Sequence, residues 1–170
     1  MFSCTDQPLN TKKLIFRTYY VVDKGWIKQD TIIYSINRNG GFIDHIYKEK
    51  NDTIEMFRFF ANDTTKIIYA GDTCPMIDYK EFCIKDTIYK VRKYEYDLEQ
   101  SIDEESSIFY VDDYGIISIK SEAWLLWSFY DVANTELLGL LKRDTTGFYC
   151  KYIPPPPPPF ENDKIDNDNL

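Results

Sequence analysis

The sequence predicts a mainly β fold: an antiparallel meander that curls into a curved sheet or half-barrel, with one short helix near residues 135–143. Three observations carry this. The 170-residue chain holds 14 Tyr and 11 Phe against only 7 Gly, and ring-bearing and β-branched side chains suit a pleated, half-buried surface. Short apolar runs follow one another with Asn, Asp and Gly between them, the punctuation of hairpins. Finally, Ser107–Trp124 contains two strongly apolar runs, Phe109-Tyr110-Val111 and Ile116-Ile117-Ser118-Ile119, around Asp112-Asp113-Tyr114-Gly115. That is a hairpin around a kink, with Gly115 free to take positive φ, and it is the expected centre of the sheet.

In chain order, Leu14–Val22 reads as the first strand, and Asp23-Lys24-Gly25 turns it. Thr31–Ile36 follows. Asn37-Arg38-Asn39-Gly40-Gly41 is a strong hairpin signal, because Asn and Gly tolerate the left-handed backbone of tight turns. Phe42–Lys48, Thr53–Phe60 and Thr65–Tyr69 continue the meander. Asp-Thr precedes apolar runs at Asp30-Thr31, Asp52-Thr53, Asp63-Thr64 and Asp86-Thr87, so the pair marks strand starts. Cys74–Cys83 reads as a loop entering a strand, and Asp86–Tyr96 as a long strand with aromatics on both faces. Asp97–Ser106 is an acidic, exposed loop.

Trp124–Tyr130 suits strand or helix, since short apolar runs do not separate the two. Asn134–Arg143 suits a helix: Asn134 caps it, Glu136 lies in the first turn, Lys142 and Arg143 in the last, and Leu137, Leu138 and Leu141 share a face. Gly147–Ile153 is a last strand. The predicted organisation is therefore a tether over 1–11, one β-rich domain over 12–153, a polyproline segment over 154–159 and a disordered acidic tail over 160–170.

The totals bound the function classes. Net charge is −8, with basic clusters at Lys12-Lys13 and Lys90–Lys93. Nucleic acid and anionic membrane surfaces are therefore poor partners. No apolar run is long enough to span a bilayer as a helix. His45 is the only histidine, which excludes any mechanism needing two imidazoles; a solvated or hydrogen-bonded structural role is expected of it. Cys4, Cys74, Cys83 and Cys150 lack zinc-site spacing. Cys74 and Cys83 are candidates for a disulfide in an oxidising compartment. Neighbouring acids at Asp112-Asp113 and Asp103–Glu105 belong to turns rather than to two sides of a cleft. No nucleotide, hydrolase or metalloprotease motif occurs, so neither catalysis nor a cofactor is expected. The prolines Pro154, Pro155, Pro156, Pro157, Pro158 and Pro159 are the sharpest partner-docking candidate. Such a rod docks in aromatic-lined grooves of partners, or straps over the chain's own rings.

The residues Ser3-Cys4-Thr5-Asp6 and the hairpin Phe109–Ile117 resemble those of small uncharacterised cell-envelope lipoproteins from bacteria of the Bacteroides type. The resemblance implies a curved antiparallel sheet, lipidation at Cys4 and no known activity. Three expectations follow. The first is a non-enzymatic envelope protein with a binding or structural role, touching the membrane only through Cys4. The second is a cytoplasmic immunity protein whose acidic surface neutralises a basic toxin. The third is a half-barrel carrier of an apolar ligand.

Overall fold

The computed structural model describes residues 10–21, 26–97, 105–112, 114–121 and 125–149. Ten strands and one helix occur among them: β1 (Asn10–Val21), β2 (Trp26–Asn39), β3 (Phe42–Glu49), β4 (Asp52–Phe60), β5 (Asp63–Tyr69), β6 (Asp72–Ile84), β7 (Thr87–Tyr96), β8 (Ser106–Val111), β9 (Gly115–Ser121), β10 (Leu126–Tyr130) and α1 (Thr135–Lys142). Every strand pairs antiparallel with its sequence neighbours, and β1 closes on β10. The predicted curved meander is thus a closed up-and-down barrel. Closure removes the free sheet edges that would otherwise template aggregation.

Register alternation sorts the side chains. From β1 to β4 the inward set is Ile15 and Arg17, then Ile32 and Tyr34, then His45 and Tyr47, then Phe57 and Phe59, each pair buried. Ile67, Cys74, Tyr94, Ile108, Tyr110 and Tyr130 complete the interior. Register shifts at Tyr47/Lys48, Phe59/Phe60, Met76/Asp78 and Phe109/Tyr110 add the local twist that curls a sheet into a barrel. Gly40 and Gly41, at φ +54° and +92°, make the predicted β2–β3 turn.

β8 and β9 are buried on both faces; the expected centre of the sheet is not one, because a closed barrel has no central strand. The outer face of β8 and β9 is covered by the chain beyond the barrel. The predicted helix forms with Asn134 as its cap, whose side chain accepts from the Glu136 N–H at 2.8 Å. Leu137, Leu138 and Leu141 are buried, each contributing about 2 kcal/mol of hydrophobic burial. After the helix, Asp144 accepts from the Tyr149 N–H at 3.1 Å and from Thr146, and it pairs with Lys80 of β6. Phe148 then meets Phe109 of β8 edge-on at 5.6 Å and Tyr149 packs tilted against it at 4.8 Å. The molecule therefore has two cores, one inside the barrel and one between its wall and the C-terminal cover.

Several expectations are corrected. The first strand begins at Asn10 rather than Leu14. Asp30-Thr31 lies within β2, not at its start, because Asp30 pairs across to Arg17. Cys74–Cys83 is a continuous part of β6 rather than a loop. Nine residues apart on one strand, roughly 30 Å by strand rise, Cys74 and Cys83 cannot be bridged, and both are free thiols, Cys74 buried and Cys83 exposed. Of the Trp124–Tyr130 run, Leu126–Tyr130 is strand, as β10, and Trp124 lies outside the described residues. Residues 147–149 are bends, not strand, because β1 already occupies the edge of β10 and Asp144 ties the segment into a compact loop. Cys4, Cys150, Pro154–Pro159 and the acidic tail lie outside the described residues.

Candidate functional site at the barrel rim

The barrel interior is stacked in layers. Nearest the β2–β3 and β8–β9 turns lies His45, 3% exposed. Its Nδ1 is 2.7 Å from the Tyr34 hydroxyl, which also donates to the Tyr114 carbonyl at 3.1 Å. A hydroxyl carries one proton, so Tyr34 accepts from Nδ1–H, and Nε2 is a bare lone pair with no partner. Phe59 and Tyr110 meet the imidazole edge-on at 5.1 and 5.7 Å. Burial, reinforced by Arg38, pushes the His45 pKa down to about 4. His45 is thus the hydrogen-bonded structural histidine of the two roles expected. Gly115 makes this layer fit: at φ +93°, a Cβ there would lie 2.6 Å from both His45 Nδ1 and the Tyr34 hydroxyl.

The middle layer is rings. Tyr47 and Tyr130 stand 4.7 Å apart, Phe57 meets Tyr47 edge-on at 5.9 Å, and Tyr47 donates to the Ile116 carbonyl at 3.2 Å. Tyr47, Phe57, Tyr94 and Tyr130 expose no surface to a water-sized sphere, so the barrel is filled at this level.

Toward the other end the interior becomes charged. Arg17, 5% exposed, forks onto Asp30 at 3.1 and 2.8 Å, with Glu49 3.9 Å away. The register sets Arg17 opposite Asp30 on one side and Tyr130 on the other. Tyr130 donates its hydroxyl to Glu55 Oε2, and Glu55 sits opposite Tyr47. Desolvation raises the Glu55 pKa, while the Tyr130 hydroxyl and Arg17 pull it back. The Tyr130 hydroxyl is held well above the ordinary tyrosine range by burial and the nearby carboxylate, and stays a donor.

Glu55 also lines a cleft of about 450 Å³. The last β4–β5 pair is Phe57 with Tyr69, and the chain turns at Ala70-Gly71. β4 continues beyond, so Asp52–Met56 has no β5 partner. The wall dips there, and the cleft crosses it between Thr53, Ile54 and Met56 on one side and Ile68, Tyr69 and Gly71 on the other. Glu55 Oε1 has no hydrogen-bond partner among the described residues, and it is not sealed from solvent. The site therefore offers an unclaimed carboxylate oxygen, an apolar wall and an unpaired strand edge.

None of these residues is a site residue predicted from sequence. A signal existed: Arg17 and Glu55 interrupt the apolar runs Leu14-Ile15-Phe16 and Thr53-Ile54 at positions whose parity points inward. Asp112 lies apart, paired with Arg92. No group of three or more His, Cys, Asp or Glu among the described residues is placed to hold a metal. No family model matches this chain, and no curated protein or solved structure is similar to it.

Proposed function

We propose that this chain is a non-enzymatic binding protein whose ligand seats in the rim cleft against Glu55. The barrel fold suits a binding or carrier role. One observation carries the choice of site: the partly desolvated Glu55 carboxylate keeps Oε1 unclaimed in a cleft lined by Ile54, Met56 and Ile68 together with Thr53, Tyr69 and Arg58, whose guanidinium is held by Asp44. That chemistry fits a small amine with a short apolar body, its cation on the carboxylate and its carbons on the aliphatic wall. The rings that fill the mid-barrel support a seat at the rim rather than along the axis.

A thermal-shift titration with linear alkylamines, set against alkyl carboxylates of equal length, tests this. Amines are expected to raise Tm and carboxylates to leave it unchanged, with the amine shift lost in Glu55→Gln. Equal shifts in both proteins, or none in either, refute the site. Tethering to the cell envelope through Cys4 belongs to the same proposal and is supported by Ser3-Cys4-Thr5-Asp6 and the polar residues that follow. The mass of the native N-terminal peptide decides it: an acylated Cys4 is expected, and a free thiol refutes the tether.

A further inference from the structure

On the outer wall, remote from the rim cleft, a second feature concerns the chain itself. Two adjoining depressions of about 240 and 200 Å³ share Thr18, Phe129 and Lys142. Together they form a groove between β1, β10 and α1, lined by Phe16, Thr18, Tyr20, Trp127, Phe129 and Leu138. Its rings are arranged face and edge: Tyr20 lies 5.7 Å from Trp127, and Lys142 stands 4.0 Å over Phe129. The Trp127 indole N–H is buried with no hydrogen-bond partner among the described residues, and an orphaned donor of this kind is destabilising unless something accepts from it. Along β1 the groove runs out past Phe16 and Leu14, which are 50% and 72% exposed.

We propose that this groove is a polyproline-binding site and that its occupant is the chain's own Pro154–Pro159. Four observations point to that segment. The described chain ends at Tyr149, whose ring lies 5.9 Å from both Trp127 and Phe129, so the chain departs from the groove's own wall. Pro154 follows five residues later, within reach of about 17 Å of extended backbone. Six prolines in the polyproline II form span roughly 19 Å, and the outward side chains from Tyr20 to Leu14 span about 20 Å of strand. Proline rings dock on aromatic side chains, and Phe16, Tyr20, Trp127 and Phe129 line this groove. Charge agrees as well. A rod laid from Trp127 toward Leu14 delivers Glu161, Asp163, Asp166 and Asp168 to the end of β1 that carries the exposed Lys12.

The test reads hydrogen exchange of the Trp127 indole N–H in the ¹⁵N-labelled full chain, assigned with Trp127→Phe. Replacing all six prolines by serine is expected to speed that exchange at least tenfold, and added hexaproline peptide at millimolar concentration to slow it again. Thr18→Arg, which fills the groove and leaves the prolines intact, is expected to speed it likewise. Unchanged exchange in the serine variant overturns the proposal. So does protection in the native chain that disappears on dilution, since the occupant is then a second copy.

Discussion

Lowering the pH from 7 to 4.5 should destabilise this barrel through His45 alone by an amount that one substitution can isolate. The imidazole is sealed among Phe59, Tyr110 and Tyr34, with Nδ1–H committed to the Tyr34 hydroxyl. A second proton would go on Nε2, which has no acceptor. The folded pKa is about 4, against about 6.5 for an unperturbed histidine. The unfolded chain therefore binds the proton first. Stability is fully present above about pH 6.5, falls as pH drops through the window, and is exhausted near 4. At 1.36 kcal/mol per unit the whole effect is about 3 kcal/mol, of which roughly 2 kcal/mol falls between pH 7 and 4.5. Glu55 acts oppositely. Its raised pKa means the folded state holds the extra proton, so its contribution weakens as pH rises above the ordinary carboxylate range. Subtraction removes that background. Urea unfolding of the native chain and of His45→Phe should be run at pH 4.5, 5.5, 6.5 and 7.5. The stability difference between the two should move by roughly 2 kcal/mol in favour of the variant toward acid. A difference constant to within about 0.5 kcal/mol across the range would refute the claim that burial keeps this imidazole neutral.

Four further outcomes are expected. Gly115→Ala should cost about 3 kcal/mol or more, because it adds left-handed strain to an overpacked contact with His45 and Tyr34; chemical denaturation reads this directly. Arg17→Met should destabilise by about 2 kcal/mol, leaving half-buried Asp30 without its partner, and adding Asp30→Leu should recover most of that loss. Asp144→Ala should release the loop that seats Tyr149 and cost about 2 kcal/mol, with amide exchange rising in residues 135–149 before it rises in β1–β4. Iodoacetamide followed by peptide mapping should label Cys83 in the native protein and spare Cys74 until it unfolds, since Cys74 is buried and its pKa is pushed up to about 11 by desolvation.

The parts of this fold that sequence reasoning captures are those fixed by local chemistry. The Asn39-Gly40-Gly41 turn, the Asn134 cap and the β8–β9 hairpin each follow from residues a few positions apart. Closure could not be read in this way. Whether β1 meets β10 depends on accumulated twist and on bulges such as those at Phe59/Phe60 and Met76/Asp78, which no single residue type announces. Cys74–Cys83 looks like a loop because Pro75 and Asp78 break its pattern. In the barrel, Pro75 instead sits beside the β5 hairpin and Asp78 at a bulge. The rim site was hidden for the same reason. Arg17, Asp30, Glu55 and Tyr130 are spread from the first strand to the last, and only closure brings them together.

Those four residues also argue about what the site is for. A buried arginine finds its best partner in a bidentate carboxylate, and Arg17 has one in Asp30. Glu55, with Arg17 acting on it only at a distance, has a neutral phenol on one oxygen and, among the described residues, no hydrogen-bond partner on the other. A carboxylate retained only for stability does poorly in that position, since an apolar side chain of similar size there is commonly neutral or better. Its cost is concentrated where the β4–β5 pairing ends and the wall opens. A closed barrel with a ring-filled middle has few places at which to meet another molecule. The dip above Ala70-Gly71 is one where a charge, an apolar wall and unpaired backbone coincide, and a ligand that met all three would offset the desolvation that Glu55 bears in its absence.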